Sequence, residues 1–207
     1  MKRKYLFLVA LLFFQVWVAE AVVLDRVLAV VNGEIISLSE VEGELTFFGQ
    51  VDPAQEKGLS DSVIQAEIQK LIDHKLLLTE AKRFDVEDPT ETEIQGRLEE
   101  VQKQFSTPQT FEKNLRQNAM TLEDLKQRIK EHLIIDRFID QRIRFFLIVL
   151  PEDISRYYTE NQADFKGKSL DEVEKEIERI LLEQKEKTKL EDYLSKVKTK
   201  ARIQINF

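Results

Sequence analysis

The chain has 207 residues, with 31 Lys and Arg against 38 Asp and Glu, a net charge of -7, two His, six Gly and no Cys. These counts exclude a disulfide framework, a thiolate nucleophile, Cys-ligated zinc and a lipid-modified Cys, and they leave little for a His-based metal site. The acidic balance argues against a nucleic-acid partner held by its phosphates, and 33% charged with 43% hydrophobic residues is neither a disordered chain nor a multispan membrane protein.

Lys2, Arg3 and Lys4 form a basic start, and Tyr5 to Val18 is an apolar run broken only by Gln15. Ala19-Glu20-Ala21 then places small residues two apart, which is the layout of a cleavable secretory signal over residues 1–21. The 14-residue run is short of the roughly 20 that a spanning helix needs. The alternative is an uncleaved anchor in the inner membrane. Export suits a chain without Cys, which is indifferent to an oxidising compartment.

The expected fold class is mostly α, with a small antiparallel sheet built from both ends of the mature chain. Val27 to Val31 and Glu34 to Ile36 flank Asn32-Gly33, a strong hairpin signal because both turn residues tolerate positive φ. Ser37 or Ser39 caps a short helix that fades near Gly49, weakened by Gly43. A long helix follows over Asp61 to Phe84, apolar well beyond one stripe. Thr90-Glu91-Thr92-Glu93 is a capping box before a helix with Ile94, Leu98, Val101 and Phe105, which Pro108 stops. A short helix over Phe111 to Gln117 comes next, and Thr121 caps a long one reaching about Arg144. Phe145 to Leu150 reads as apolar and β-rich, closed by Pro151. A helix over Glu152 to Gln162 and another from Ser169 complete the set. The last stripe is interrupted at Glu183 to Lys189, which predicts a solvated stretch or a kink. Ala201 to Phe207 alternates with period two, a strand with one buried face. An isolated hairpin is marginal in water, so Ile203 and Ile205 are expected to complete its sheet. Residues 22–207 then form one closed core, with 22–165 as its N-terminal part and 166–207 as the helix and strand that close it.

Candidate chemistry is sparse. His74 lies on an apolar helix face and reads as a hydrogen-bonded core histidine, and His132 reads the same way. They are far apart in sequence with no supporting pattern, so a shared metal is not expected. The carboxylates fall on polar faces near Lys or Arg at helical spacing, as ion pairs do. No G-x-S-x-G, Walker loop or G-x-G-x-x-G occurs. The expectation is no catalytic residue, no cofactor and no metal. The 13 Phe are more informative. Most belong to a core, but Phe47, Phe48, Phe105, Phe111, Phe145, Phe146, Tyr157 and Tyr158 sit at helix ends or connections. They are the candidates for lining an apolar cleft that takes extended peptide.

The segment Leu24-Asp25-Arg26-Val27-Leu28-Ala29-Val30-Val31-Asn32-Gly33-Glu34-Ile35-Ile36 resembles the mature start of SurA-type periplasmic chaperones. The similarity continues through the Asp61 to Phe84 helix, Val86-Glu87-Asp88-Pro89-Thr90, Asn118 to Leu125 and Ile148-Val149-Leu150-Pro151-Glu152-Asp153-Ile154. Many relatives carry parvulin-type prolyl isomerase domains after the position of Pro151. A domain of roughly 90–100 residues does not fit between Pro151 and the final helix. The resemblance therefore implies a chaperone core without isomerase activity, holding unfolded exported polypeptides in the periplasm without ATP. Outer-membrane protein precursors are the implied clients, and the implied partners include no nucleic acid and no stable membrane span, with a homodimer left open. The rival readings are an envelope adaptor that docks one specific partner and, behind it, a prolyl isomerase.

Overall fold

The computed structural model describes residues 25–49 and 60–206. Three sequence expectations fall outside them: the signal at 1–21, an end to the first helix at Val51-Asp52-Pro53, and the last residue of the alternating strand, Phe207. Among the described residues the chain is mostly α, with a three-stranded antiparallel sheet. β1 (Val27–Val31) and β2 (Glu34–Ser37) form the hairpin, with Asn32 and Gly33 at φ 52° and 95°. These are the two positive values that a tight twisted turn requires. β3 (Ile203–Ile205) pairs with β1 on its other side, giving the order β2-β1-β3. The Asn32 side chain also accepts from the Arg202 backbone N–H at 2.9 Å, so the turn residue itself fastens the two ends of the chain together.

The sheet differs from expectation at its margin. Ile205 pairs opposite Ala29 and shares a face with the buried Ile36, yet it stays 46% exposed because it lies at the end of an edge strand. A register shift between Val27 and Ala29 lets the adjacent residues Leu28 and Ala29 both be buried.

The helices are α1 (Leu38–Phe47), α2 (Asp61–Arg83), α3 (Glu91–Lys103), α4 (Pro108–Gln117), α5 (Leu122–Arg142), α6 (Pro151–Glu160) and α7 (Leu170–Lys198). Hydroxyls of Ser37, Ser60, Thr90, Thr107 and Thr121 accept backbone N–H bonds at five of their starts. Pro108 and Pro151 are not the stops that the sequence pattern suggests. Each opens a helix, because its fixed φ suits the first turn and its missing N–H is not needed there. Gly43 is buried, and a Cβ there would stand 2.8 Å from the Met120 Cε, so the glycine permits close approach rather than simply weakening α1.

Three apolar clusters result. The first joins the sheet, α2, the later half of α5 and the end of α7 through residues such as Ile72, Leu76, Phe138 and Leu194. The second joins Phe47 to α3, α4 and the first half of α5. The third is smaller, with Ile154, Phe165, Val173 and Ile177 from α6 and the start of α7. α7 is continuous from the third cluster to the first. Its apolar gap at 183–189 is therefore a solvated waist and not a kink.

Candidate functional site

The segment between α5 and α6 carries the most exposed apolar side chains among the described residues. Arg144–Phe146 form a single 3₁₀ turn, and the backbone then runs extended to Pro151 without a strand partner, so the β-rich reading of 145–150 does not become a strand. Phe145 is 80% exposed, Phe146 67%, Ile148 69% and Leu150 53%. A soluble domain rarely leaves four large apolar residues open in one short segment without a use for them.

The backbone of this tract is held while its side chains point outward. Arg144 pairs with Asp140 at 2.7 Å and with Glu186 of α7 at 2.8 Å. The Lys185 ammonium donates to the Ile148 carbonyl at 2.8 Å and to Asp153 Oδ2 at 2.7 Å. Bonds from Lys185 and Arg156, joined by the Leu150 N–H, hold the Asp153 carboxyl at about 2. Between the tract and the waist of α7 lies a groove of about 530 Å³, floored by Phe146, Leu147, Ile148 and Leu181 and edged by Lys185 and Lys189. That is within the size range of ordinary ligand pockets. The interruption in the α7 stripe thus has a place: Gln184, Lys185, Thr188 and Lys189 form the wall opposite Phe146 and Ile148.

The remaining sequence candidates are distributed elsewhere. Phe47, Phe105 and Phe111 are packed together inside the second cluster, with ring centroids 5.4–6.1 Å apart. Phe48 is half-buried and stacks on His132 at 4.3 Å. Tyr157 and Tyr158 pack against Phe165 in the third cluster, and the Tyr158 hydroxyl donates to the Lys168 carbonyl at 2.7 Å. Of the eight candidates, Phe145 and Phe146 alone form an open pair.

A second constellation escaped the sequence reading. His74 and His132 stand with ring centroids 4.6 Å apart, and His132 Nε2 donates to Glu44 Oε1 at 2.6 Å. Glu44, Glu67 and Glu80 are all buried, against the expectation that carboxylates keep to polar faces. His74 is not the satisfied core histidine expected, because its Nε2 is buried without a hydrogen-bond partner among the described residues. Burial, helped by the neighbouring His132, pushes this imidazole down to about 4. Burial opposes ionisation of Glu44, yet the bond and charge of His132, with His74 and Arg128, hold its carboxyl below the ordinary range. A signal existed: Glu44 interrupts an apolar face made by Val41, Leu45 and Phe48, so a buried partner was required. No group of three or more His, Cys, Asp or Glu among the described residues is arranged to hold a metal ion.

Comparison with known proteins identifies the architecture. Residues 3–139 match the SurA-like N-terminal domain. The chain belongs to that family. It is also 26% identical over 159 residues to the foldase protein PrsA of Clostridium botulinum strain Okra, covering 68% of this chain and 46% of that protein. The PrsA of Clostridium perfringens strain ATCC 13124 is 28% identical over 165 residues, covering 72% and 46%. The chain thus spans about half the length of the curated relatives it matches. The family model and the curated relatives agree in kind: the one is SurA-like and the others are named foldases. No parvulin domain is evidenced within the 207 residues; α6 and α7 are separated by residues 161–169 alone. The family match ends before Phe145, so the exposed tract lies beyond it. No helix among the described residues is long and apolar enough to cross a membrane.

Proposed function

We propose that this protein is an ATP-independent holding chaperone for unfolded exported polypeptides, and that Phe145 to Leu150, with the groove against α7, is the surface that contacts them. The observation that carries this reading is the four exposed apolar side chains on a backbone pinned at both ends to α7. Pinning limits the entropy the protein loses on binding, while an unfolded client still loses its own, so single contacts stay weak and reversible. The net negative charge, -7 over the whole chain and more negative without the basic start, keeps a protein bearing such a patch, and its client complexes, dispersed.

In this reading residues 1–21 direct export and are removed, and residues 22–207 act as one core in the periplasm. Outer-membrane protein precursors are the proposed clients. The carboxylates beside the tract, Asp140, Asp153 and Glu186, are engaged in ion pairs, and binding alone, without prolyl isomerisation, is the proposed activity. The test is light scattering of a porin diluted from denaturant, with the protein present and ATP absent. Suppressed aggregation near equimolar ratio is expected. Unchanged aggregation at excess, or recovery of one stoichiometric folded partner in place of many unfolded ones, contradicts the reading. A prolyl isomerase assay on a short peptide should stay at the uncatalysed rate.

A further inference from the structure

A buried polar seam lies where the two larger apolar clusters meet. α1 gives Val41 and Leu45 to the first cluster and Phe47 to the second. α5 gives Leu125 and Ile129 to the second and Ile134, Ile135 and Phe138 to the first. At this crossing Glu44 of α1, His74 of α2 and His132 of α5 converge, with Phe48 stacked on the outer imidazole. A cleft of about 210 Å³ opens beside both imidazoles and Phe48. None of these residues belongs to the exposed tract, so the seam stands apart from the proposed client surface.

We propose that the seam is a proton-operated joint: a proton taken up at His74 of α2 stands against His132 and Arg128 of α5 and loosens the packing of α2 on α5 at this crossing. The charges around His74 make the case. From α5 it faces His132 and Arg128, and from its own helix Lys75, and all three oppose a positive charge on it. From α1 it faces Glu44, but that carboxylate already accepts from His132 at 2.6 Å and pairs with Arg128 at 3.5 Å. The other charges nearby are engaged: Lys75 with Glu40 and Glu34, Lys70 with Glu67, and Glu131 with the Gln127 amide. Lys82 is a further cation lining the same small cavity. A protonated His74 would add a charge and an N–H at a position where the buried Nε2 has no partner among the described residues.

The pH effect has a definite direction. Opened, the imidazole takes a proton near its ordinary 6.5; closed, burial and His132 delay this to about 4. The closed seam is therefore fully stable above 6.5 and loses stability as pH falls from 6.5 to about 4. Between pH 7 and pH 5 the open population should rise on the order of tenfold. Below the ordinary carboxyl range, protonation of Glu44 adds to the loss.

The experiment is hydrogen exchange of backbone amides at pH 7 and pH 5, expressed as protection factors. Protection of α2 and α5 around His74 and His132 should fall on the order of tenfold in the wild type, with the third cluster of α6 and early α7 unchanged. His74→Leu should remove that fall. Should the variant fail to fold, the wild type suffices, because the chain has two His and His132→Gln assigns their NMR signals. His74 should then titrate well below 6.5, with resonances of α2 and α5 beside the seam moving at the same midpoint. An ordinary His74 titration, unchanged protection of α2 and α5 at the seam between pH 7 and 5, a uniform loss across all helices, or an equal fall in His74→Leu would each overturn the proposal.

Discussion

Two groups of phenylalanines use the same side chain for opposite ends. Phe47, Phe105 and Phe111 come from the ends of α1 and α3 and from α4, and their three rings close on one another in the second cluster with at most 7% exposure. Phe145 and Phe146 also touch, with centroids 5.2 Å apart, but both stand in solvent. Ring contact is common to both groups, so it cannot be what separates core from surface. The difference is the backbone beneath. The first three sit where helix faces meet and other layers cover them. The second pair sits on one 3₁₀ turn whose backbone is tied down by Arg144 and Lys185, so no layer folds over it.

Substitution should separate the groups sharply. Phe47→Ala removes a fully buried ring and should lower unfolding free energy by about 3–5 kcal/mol in chemical denaturation. A loss below about 1 kcal/mol would mean that the cluster is not a packed core. The caps that position these helices come next. Thr90 and Glu93 bond reciprocally at the start of α3, and Thr90→Ala should cost about 1 kcal/mol. The hydroxyl and backbone N–H of Thr90, with Arg137, hold the Glu93 carboxyl at about 2. Its contribution is therefore complete above its ordinary 4.5 and is lost as pH falls toward about 2, which an acid titration of α3 exchange would follow. Lys185→Met should leave global unfolding nearly unchanged yet raise amide exchange over 145–153, because the ties to Ile148 and Asp153 are gone. Phe145→Ser should change stability least, within about 0.5 kcal/mol.

Much of the fold was legible because it rests on local rules. The Asn32-Gly33 turn, the Thr90 capping box and the stripes of α2 and α5 each declare themselves within a few residues. The pairing of β3 with β1 is not local, but an unpartnered alternating strand and a lone hairpin left one economical answer. The site was harder to see. Phe105 sits among polar neighbours and Phe146 among apolar ones, yet Phe105 is the buried ring, because burial depends on which layers arrive from elsewhere in the chain. Glu44 and His132 are 88 residues apart, so no spacing rule links them. Only the cost of an unpaired carboxylate on an apolar face pointed toward a partner. Pro108 and Pro151 illustrate a further ambiguity. Proline next to a helix marks a boundary, and the residues on its C-terminal side decide whether it ends one helix or begins another.

The most direct test of the central claim is to combine Phe145→Ser with Phe146→Ser and compare the double variant with the wild type in suppressing aggregation of an unfolded porin without ATP, after confirming equal unfolding midpoints. The account predicts that the variant keeps its stability and loses most of its protection. A variant of unchanged stability that protects as well as the wild type would contradict it.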